Sequence, residues 1–411
     1  MNAPRLVVTT NGPGELMGWA RPFLRAVYRK APDARVTVVF VPCPYATGHE
    51  AQITSAMFPK ADVVDPKGYG RFLLRKPVKG MERGSGALQY LGGDLFHATT
   101  IARRLGVQPM TYKFTRRSYC QSFVRFFALD ERNAAELRRA GAPSDRVSIV
   151  GNLVPDAVLD SLTAPPDDRA GDGICILPGS RPMEVKHALP FFLGVALGIR
   201  RRQPGVAITF VLSPFNGDDE LRAALEATPD PKMGGIGGKL AGDGRSVEVQ
   251  GERFAVDRSG DYKALSRSRL VVTIPGTKCI ECAVLSRPML VAVPLNRADL
   301  IVMNGVAGYL HLVPIVGPPL KTMIVRAAER RFRFITQPNM DADRQIVPEM
   351  RGILKPEEVA EKASIMFDDA AGLASQREAL GQLYAHDAGA SDRMAEQALA
   401  VAMDDRLEVA L

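Results

Sequence analysis

The chain has 411 residues, too many for one ordinary domain and enough for two of roughly 150–200 residues, each with its own core. Hydrophobic residues make up 46% and charged residues 24%, a globular balance that excludes a disordered or fibrous protein. Lys and Arg outnumber Asp and Glu by 53 to 45, a net charge of +8 that suits phosphorylated ligands, anionic lipid or nucleic acid.

Taken in chain order, the start is an apolar, β-branched strand at Arg5–Thr10. Asn11-Gly12-Pro13-Gly14-Glu15 is a turn, and Met17–Tyr28 has helical spacing. Val36–Val41 and Ala61–Val64 read as strands, Ile101–Leu105 as a helix end, and Met110–Tyr112 as another strand. Phe126–Leu129, Glu131–Ala140 and Val147–Val150 continue as strand, helix and strand. A polar, Pro/Gly-rich break follows at Thr163–Gly173. The pattern then restarts with the strand Ile174–Leu177, the helix Leu189–Arg200 and the strand Ala207–Leu212. Gly234–Gly244 reads as a loop; Leu270–Ile274, Lys278–Leu285 and Met289–Val293 as strand, helix and strand. Pro356–Phe367 and Ser391–Met403 close the chain as helices. Apolar strands alternating with helices predict parallel sheets covered on both faces. The expected organisation is an α/β fold of two Rossmann-like domains facing a cleft. Residues 1–162 form the first and 171–385 the second, with 386–411 a helix returning to the first.

No signal-peptide pattern opens the sequence and no apolar run approaches the ~20 residues of a membrane span, which predicts a cytoplasmic protein. Its five cysteines have no framework, and Cys279-x-x-Cys282 lacks the further ligands of a metal site. Basic clusters at Arg71–Arg83, Lys113–Arg125 and Lys321–Arg333 suit an anionic surface; no aromatic interleaving points to nucleic acid. Gly70–Lys79 and the broken apolar stretch Val306–Val325 have the composition of membrane-surface segments.

Ligands of doubly wound sheets bind beyond the carboxyl ends of the strands, where glycine turns let backbone N–H groups reach a phosphate. Three turns qualify: Gly12–Gly14, Gly179–Arg181 and Gly276–Thr277. Arg181 adds a charge-assisted donor, and Glu281, one turn into the last helix, has the reach for ribose hydroxyls. The first turn lacks G-x-G-x-x-G, which argues against a nicotinamide cofactor. No Asp-x-Asp metal clamp follows a strand, so neither metal nor cofactor is expected.

Ile176–Val185, Gly276–Met289 and Phe334–Glu349 resemble, in order and spacing, three signatures of lipid A disaccharide synthase. The resemblance implies a GT-B glycosyltransferase that holds UDP in its second domain: Gly179, Ser180 and Arg181 on the phosphate side, Gly276, Thr277 and Glu281 at the nucleotide, Asn339 and Arg344 in the donor motif. It also implies a UDP-sugar donor, a lipid or sugar-phosphate acceptor, work at the inner face of the membrane, and a metal-independent inverting hexosyl transfer; a homodimer is left open. The family's catalytic Asp has its nearest match in Asp94, with Glu15 and His97 as rival bases, although Asp94 also fits a plain helix cap. The chain departs from the family at Tyr112–Arg117, around Asp94, and in an insert at Asn304–Arg331. A UDP-sugar 2-epimerase and a non-catalytic membrane-surface protein are the alternatives on the same shell.

Overall fold

The computed structural model describes residues 3–43, 46–162, 171–300, 331–384 and 388–404. The chain forms two compact units, Met1–Asp160 with His386–Leu411, and Ser161–Ala385. The stretch Val306–Val325 and all but the last three residues of the basic cluster Lys321–Arg333, expected at a membrane surface, lie outside the described residues.

In the N-terminal unit seven parallel strands are β1 (Arg5–Thr10), β2 (Arg35–Phe40), β3 (Asp62–Val64), β4 (Ala87–Tyr90), β5 (Gln108–Tyr112), β6 (Arg125–Ala128) and β7 (Val147–Ile149). They lie in the order β3-β2-β1-β4-β5-β6-β7. The chain moves outward from β1 on one side, then returns with β4 on the other, so the sheet's switch point lies between β1 and β4. β1 is buried over five of its six residues, as a strand covered on both faces must be.

The C-terminal unit holds β8 (Gly173–Leu177), β9 (Ile208–Val211), β10 (Lys239–Leu240), β11 (Ser246–Val249), β12 (Glu252–Asp257), β13 (Ser268–Thr273), β14 (Met289–Pro294) and β15 (Glu349–Gly352). Their order is β10-β11-β12-β9-β8-β13-β14-β15. β10 and β11 are antiparallel additions at one edge; the other pairings are parallel. Here the switch point lies between β8 and β13.

After β1 the chain makes a helical turn (Pro13–Glu15), a π segment (Leu16–Ala20) and then α1 (Arg21–Lys30), so helix begins four residues earlier than the apolar spacing predicts. Helix α2 (Leu95–Leu105) has its ends written in the sequence. Asp94 caps its first turn, arginines 103 and 104 sit in its last, and Gly106 takes the left-handed φ of 74° that ends it. Helix α3 (Pro182–Arg202) starts seven residues before the expected Leu189, because Pro182 suits the first helical position and Glu184 caps the turn. Short helices α4 (Thr277–Val284) and α5 (Gln337–Ala342) follow.

The last helix, α6 (Ala390–Met403), packs on α1 and on β1 and β4. A buried carboxylate fastens it. Asp156 accepts the Gly389 N–H at 2.7 Å, the Ser391 N–H at 2.6 Å and the Ser391 hydroxyl. Arg393 Nε donates to the Val150 carbonyl at 2.8 Å. Asp156→Ala strands three donors in a dry site and is expected to cost about 1–3 kcal/mol. The N-terminal unit should melt earlier, and residues 388–404 should become protease-sensitive. An unchanged melting curve would remove Asp156 as the anchor.

Candidate functional site

At the switch point of the C-terminal unit, the turns after β8 and β13 lie side by side. Gly179 has a φ of +110°, and a Cβ there would stand 2.9 Å from Ile274 Cδ1. Above Gly276 a Cβ would meet nothing within 4 Å, so that turn opens onto free space. Ser180 and Arg181 give their backbone N–H groups to Glu184 Oε2 at 3.0 and 3.1 Å. The half-exposed Arg181 guanidinium pairs with Glu184 Oε1 at 3.2 Å. Thr277 opens α4. One turn along, the buried Glu281 accepts Lys278 Nζ at 2.6 Å, and Lys278 also lies 5.5 Å from the Tyr262 ring centre. Burial works against the Lys278 charge, but Glu281 and Tyr262 outweigh it and raise its pKa. The cation at the mouth of this turn is therefore fixed at neutral pH.

The third signature folds into a closed hydrogen-bond network. Asn339 is fully buried: Nδ2 donates to the Val347 carbonyl (2.8 Å) and to Glu349 (2.9 Å), while Oδ1 accepts from the Ile346 and Val347 N–H groups (2.8 Å each). With those bonds made, Asn339 holds the chain around α5 in place. Glu349 also accepts the Ile335 N–H, the Thr336 N–H and hydroxyl, and Arg351. Burial would raise its pKa, but Thr336, Arg351 and Asn339 together hold it below the usual carboxylate value. Arg344 is exposed on the loop after α5, with no ion pair among the described residues.

Glycines again crowd the switch point of the N-terminal unit. A Cβ on Gly92 would stand 2.5 Å from Asn11 Oδ1 and 3.2 Å from Glu15 Cβ. Glu15 is half-buried, and its carboxylate has no hydrogen-bond or ion-pair partner among the described residues. Asp94 is exposed and engaged: it accepts the Phe96 N–H at 2.9 Å and lies 3.6 Å from Arg116. The Tyr90 hydroxyl donates to the Gly93 carbonyl at 2.7 Å; burial, then Glu15 and Asp94, raise its pKa. His97 bonds to the buried Tyr69 hydroxyl through Nδ1 at 2.8 Å. Burial lowers its pKa against the pull of Asp94, leaving the ring neutral near pH 7.

Sequence reasoning placed the turns bearing Gly179, Ser180, Arg181, Gly276 and Thr277 directly after two apolar strands of the same half, with Glu281 one turn into the following helix; the structure shows those strands to be neighbours. It gave no role to Glu184 or Lys278, and it named Glu349 only as the end of the third signature. Both of the first two had a local signal: Glu184 lies three residues after the cap of α3, and Lys278 three before Glu281.

Curated proteins share this sequence in part. The lipid-A-disaccharide synthase of Myxococcus xanthus is 26% identical over 234 residues, 55% of this chain and 48% of the relative. That of Bordetella petrii is 29% identical over 165 residues, 39% of this chain and 38% of the relative. The chain resembles lipid-A-disaccharide synthase. It spans about half or less of the length of the curated synthases it matches. No family model matches the sequence. Among solved structures, the Neisseria meningitidis UDP-GlcNAc 2-epimerase, bound to UDP-GlcNAc, covers 96% of this chain and all of its own at TM-score 0.52 and 14% identity. The S. aureus MnaA–UDP structure covers 95% of each chain at TM-score 0.53 and 14% identity. At such identities the likeness is one of fold: two Rossmann-like α/β domains, as in GT-B enzymes.

The Glu349 network has a pH signature. Its folded pKa is depressed, so the unfolded chain binds the proton more readily and stability rises with pH. That contribution is present above the ordinary glutamate value and lost as pH falls through the lowered one. Urea melts at pH 7 and pH 4 should lose less stability on acidification in Glu349→Gln than in wild type, with the variant about 1–3 kcal/mol weaker at pH 7. Equal acid sensitivity would show that another group carries it.

Proposed function

We propose that the chain is a metal-independent, inverting glycosyltransferase that moves a hexosamine from a UDP-sugar to a lipid or sugar-phosphate acceptor, as a divergent relative of lipid-A-disaccharide synthase. One observation carries this reading. Two strand–glycine turn–helix units meet at a single switch point, and both bear residues that match the synthase signatures. UDP binds there, its diphosphate against the Gly179 and Gly276 turns with Arg181 and Lys278 nearby. Glu281 accepts from the ribose, while Asn339 supports the site from within the fold and Arg344 stays on its rim.

The chemistry then needs one proton acceptor and stabilised leaving charge. A carboxylate takes the proton of the acceptor hydroxyl, whose oxygen attacks the anomeric carbon. The bond from that carbon to the diphosphate oxygen breaks, and UDP departs with the electron pair. Helix N-termini and the two cations offset its charge. Glu15 is favoured as the base over Asp94, because Asp94 already caps α2 and pairs with Arg116. A UDP-sugar 2-epimerase is the second reading, favoured by the similar solved structures.

Arg181→Ala and Glu281→Ala should each weaken UDP binding by about 1–3 kcal/mol in calorimetry. Glu15→Gln should leave UDP affinity intact and cut turnover about 100-fold or more, with Asp94→Asn milder. Reversed kinetics would return the role to Asp94. Epimerised product from UDP-GlcNAc alone would replace the transferase reading with the epimerase one.

The basic segment after β3 supports membrane work. Leu74 is 72% exposed, with Arg71, Arg75 and Lys76 beside it in sequence; Lys79 pairs with Asp62 at 2.7 Å. No helix among the described residues is long and apolar enough to cross a membrane. Each cation near an anionic surface adds about 1 kcal/mol at low salt. In flotation, binding should require anionic vesicles, weaken with salt and fall in Leu74→Ser. Binding indifferent to salt, or absent, would leave a transferase without this surface.

A further inference from the structure

The donors that the diphosphate reading assigns to the Gly179 turn already hold an anion of the protein's own. Glu184 Oε2 accepts from both Ser180 N–H (3.0 Å) and Arg181 N–H (3.1 Å). Its other oxygen faces the Arg181 guanidinium at 3.2 Å. The backbone is shaped for this approach. At φ +110°, a Cβ on Gly179 would stand 2.6 Å from Glu184 Oε2 and 2.7 Å from Glu184 Cβ, so a side chain there would push the carboxylate away. A phosphate oxygen carries the same sign of charge and needs the same N–H groups and the same guanidinium. A backbone N–H gives a near-linear bond to one acceptor at a time, so the two anions compete for these donors.

We propose that Glu184 is an internal competitor for the diphosphate of the UDP-sugar. The donor must displace this carboxylate to bind, and its return to Ser180 and Arg181 speeds the loss of UDP after transfer. The proposal rests on the reading of this turn as the UDP site. It also differs in sign from a purely structural role. A carboxylate that only caps α3 would, on removal, loosen the turn and weaken UDP binding. A competitor, on removal, tightens it.

Calorimetry of UDP on the full chain decides between them. Glu184→Gln keeps the shape and one acceptor but removes the charge. We expect UDP to bind roughly three- to tenfold more tightly and to dissociate more slowly in stopped flow. The melting temperature should fall by about 2–4 °C for the weakened cap. Glu184→Ala is the second variant and shifts affinity the same way. Unchanged or weaker UDP binding in folded Glu184→Gln overturns the proposal and leaves a helix cap. Failure of wild type and both variants to bind UDP overturns the reading of the site itself, and the proposal with it.

Discussion

Where β8 turns into α3 there is no room for a side chain. A Cβ on Gly179 would press on Glu184 at 2.7 Å and on Ile274 at 2.9 Å, from the helix ahead and from the neighbouring turn at once. A parallel sheet creates this crowding. Its strands all end on one edge, and the two on either side of the switch point send their connections in opposite directions. The backbone that leaves β8 must therefore pass close to the backbone that leaves β13. The N-terminal sheet meets the same constraint with Gly92 and Gly93, whose added Cβ atoms would stand 2.5 Å from Asn11 Oδ1 and 2.3 Å from Val41 Cγ2. Close approach of the chain at these edges follows from the topology, and glycine is the residue that allows it.

Much of this was legible in the sequence. The alternation of apolar runs and helical spacing pointed to parallel sheets, and the glycines after β8 and β13 marked the strand ends that meet at the switch point. Other elements left too faint a signal. β4 is only Ala-Leu-Gln-Tyr, and its buried Gln89 breaks the apolar run that marks its neighbours. The strand β10 has two residues inside a stretch that reads as a glycine loop. The segment Gly70–Lys79, taken for a surface strip, contains the end of a helix whose Tyr69 and Phe72 are buried in the core. Here composition described the outer face and could not describe the inner one.

Asn339 illustrates a different limit. Its place in a signature suggested contact with the donor, yet its amide is spent on Val347, Ile346 and Glu349. Residue type and spacing identify a motif; they do not say whether it faces the ligand or supports the chain that does. Only the count of donors and acceptors separates the two. Glu349, the hub of that network, ends the same signature ten residues further on in a separate strand, and the sequence does not show that its carboxylate turns inward to Asn339.

The same count sorts the carboxylates by what they can still do. Glu349 and Asp156 are surrounded by donors, and the bonds to Glu349 hold its pKa down and make it a poor base. Asp94 is committed in part, to the first turn of α2. Glu15 differs from these: half-buried, at the switch point, with the glycines at positions 12 and 92 leaving it space and no donor of the described residues claiming it. Proton abstraction needs an acceptor lone pair within hydrogen-bond reach of the proton. Among the described residues, Asp156 and Glu349 are thus spent on holding the chain in place, and of the two carboxylates at the N-terminal switch point Glu15 is the one with no hydrogen-bond or ion-pair partner.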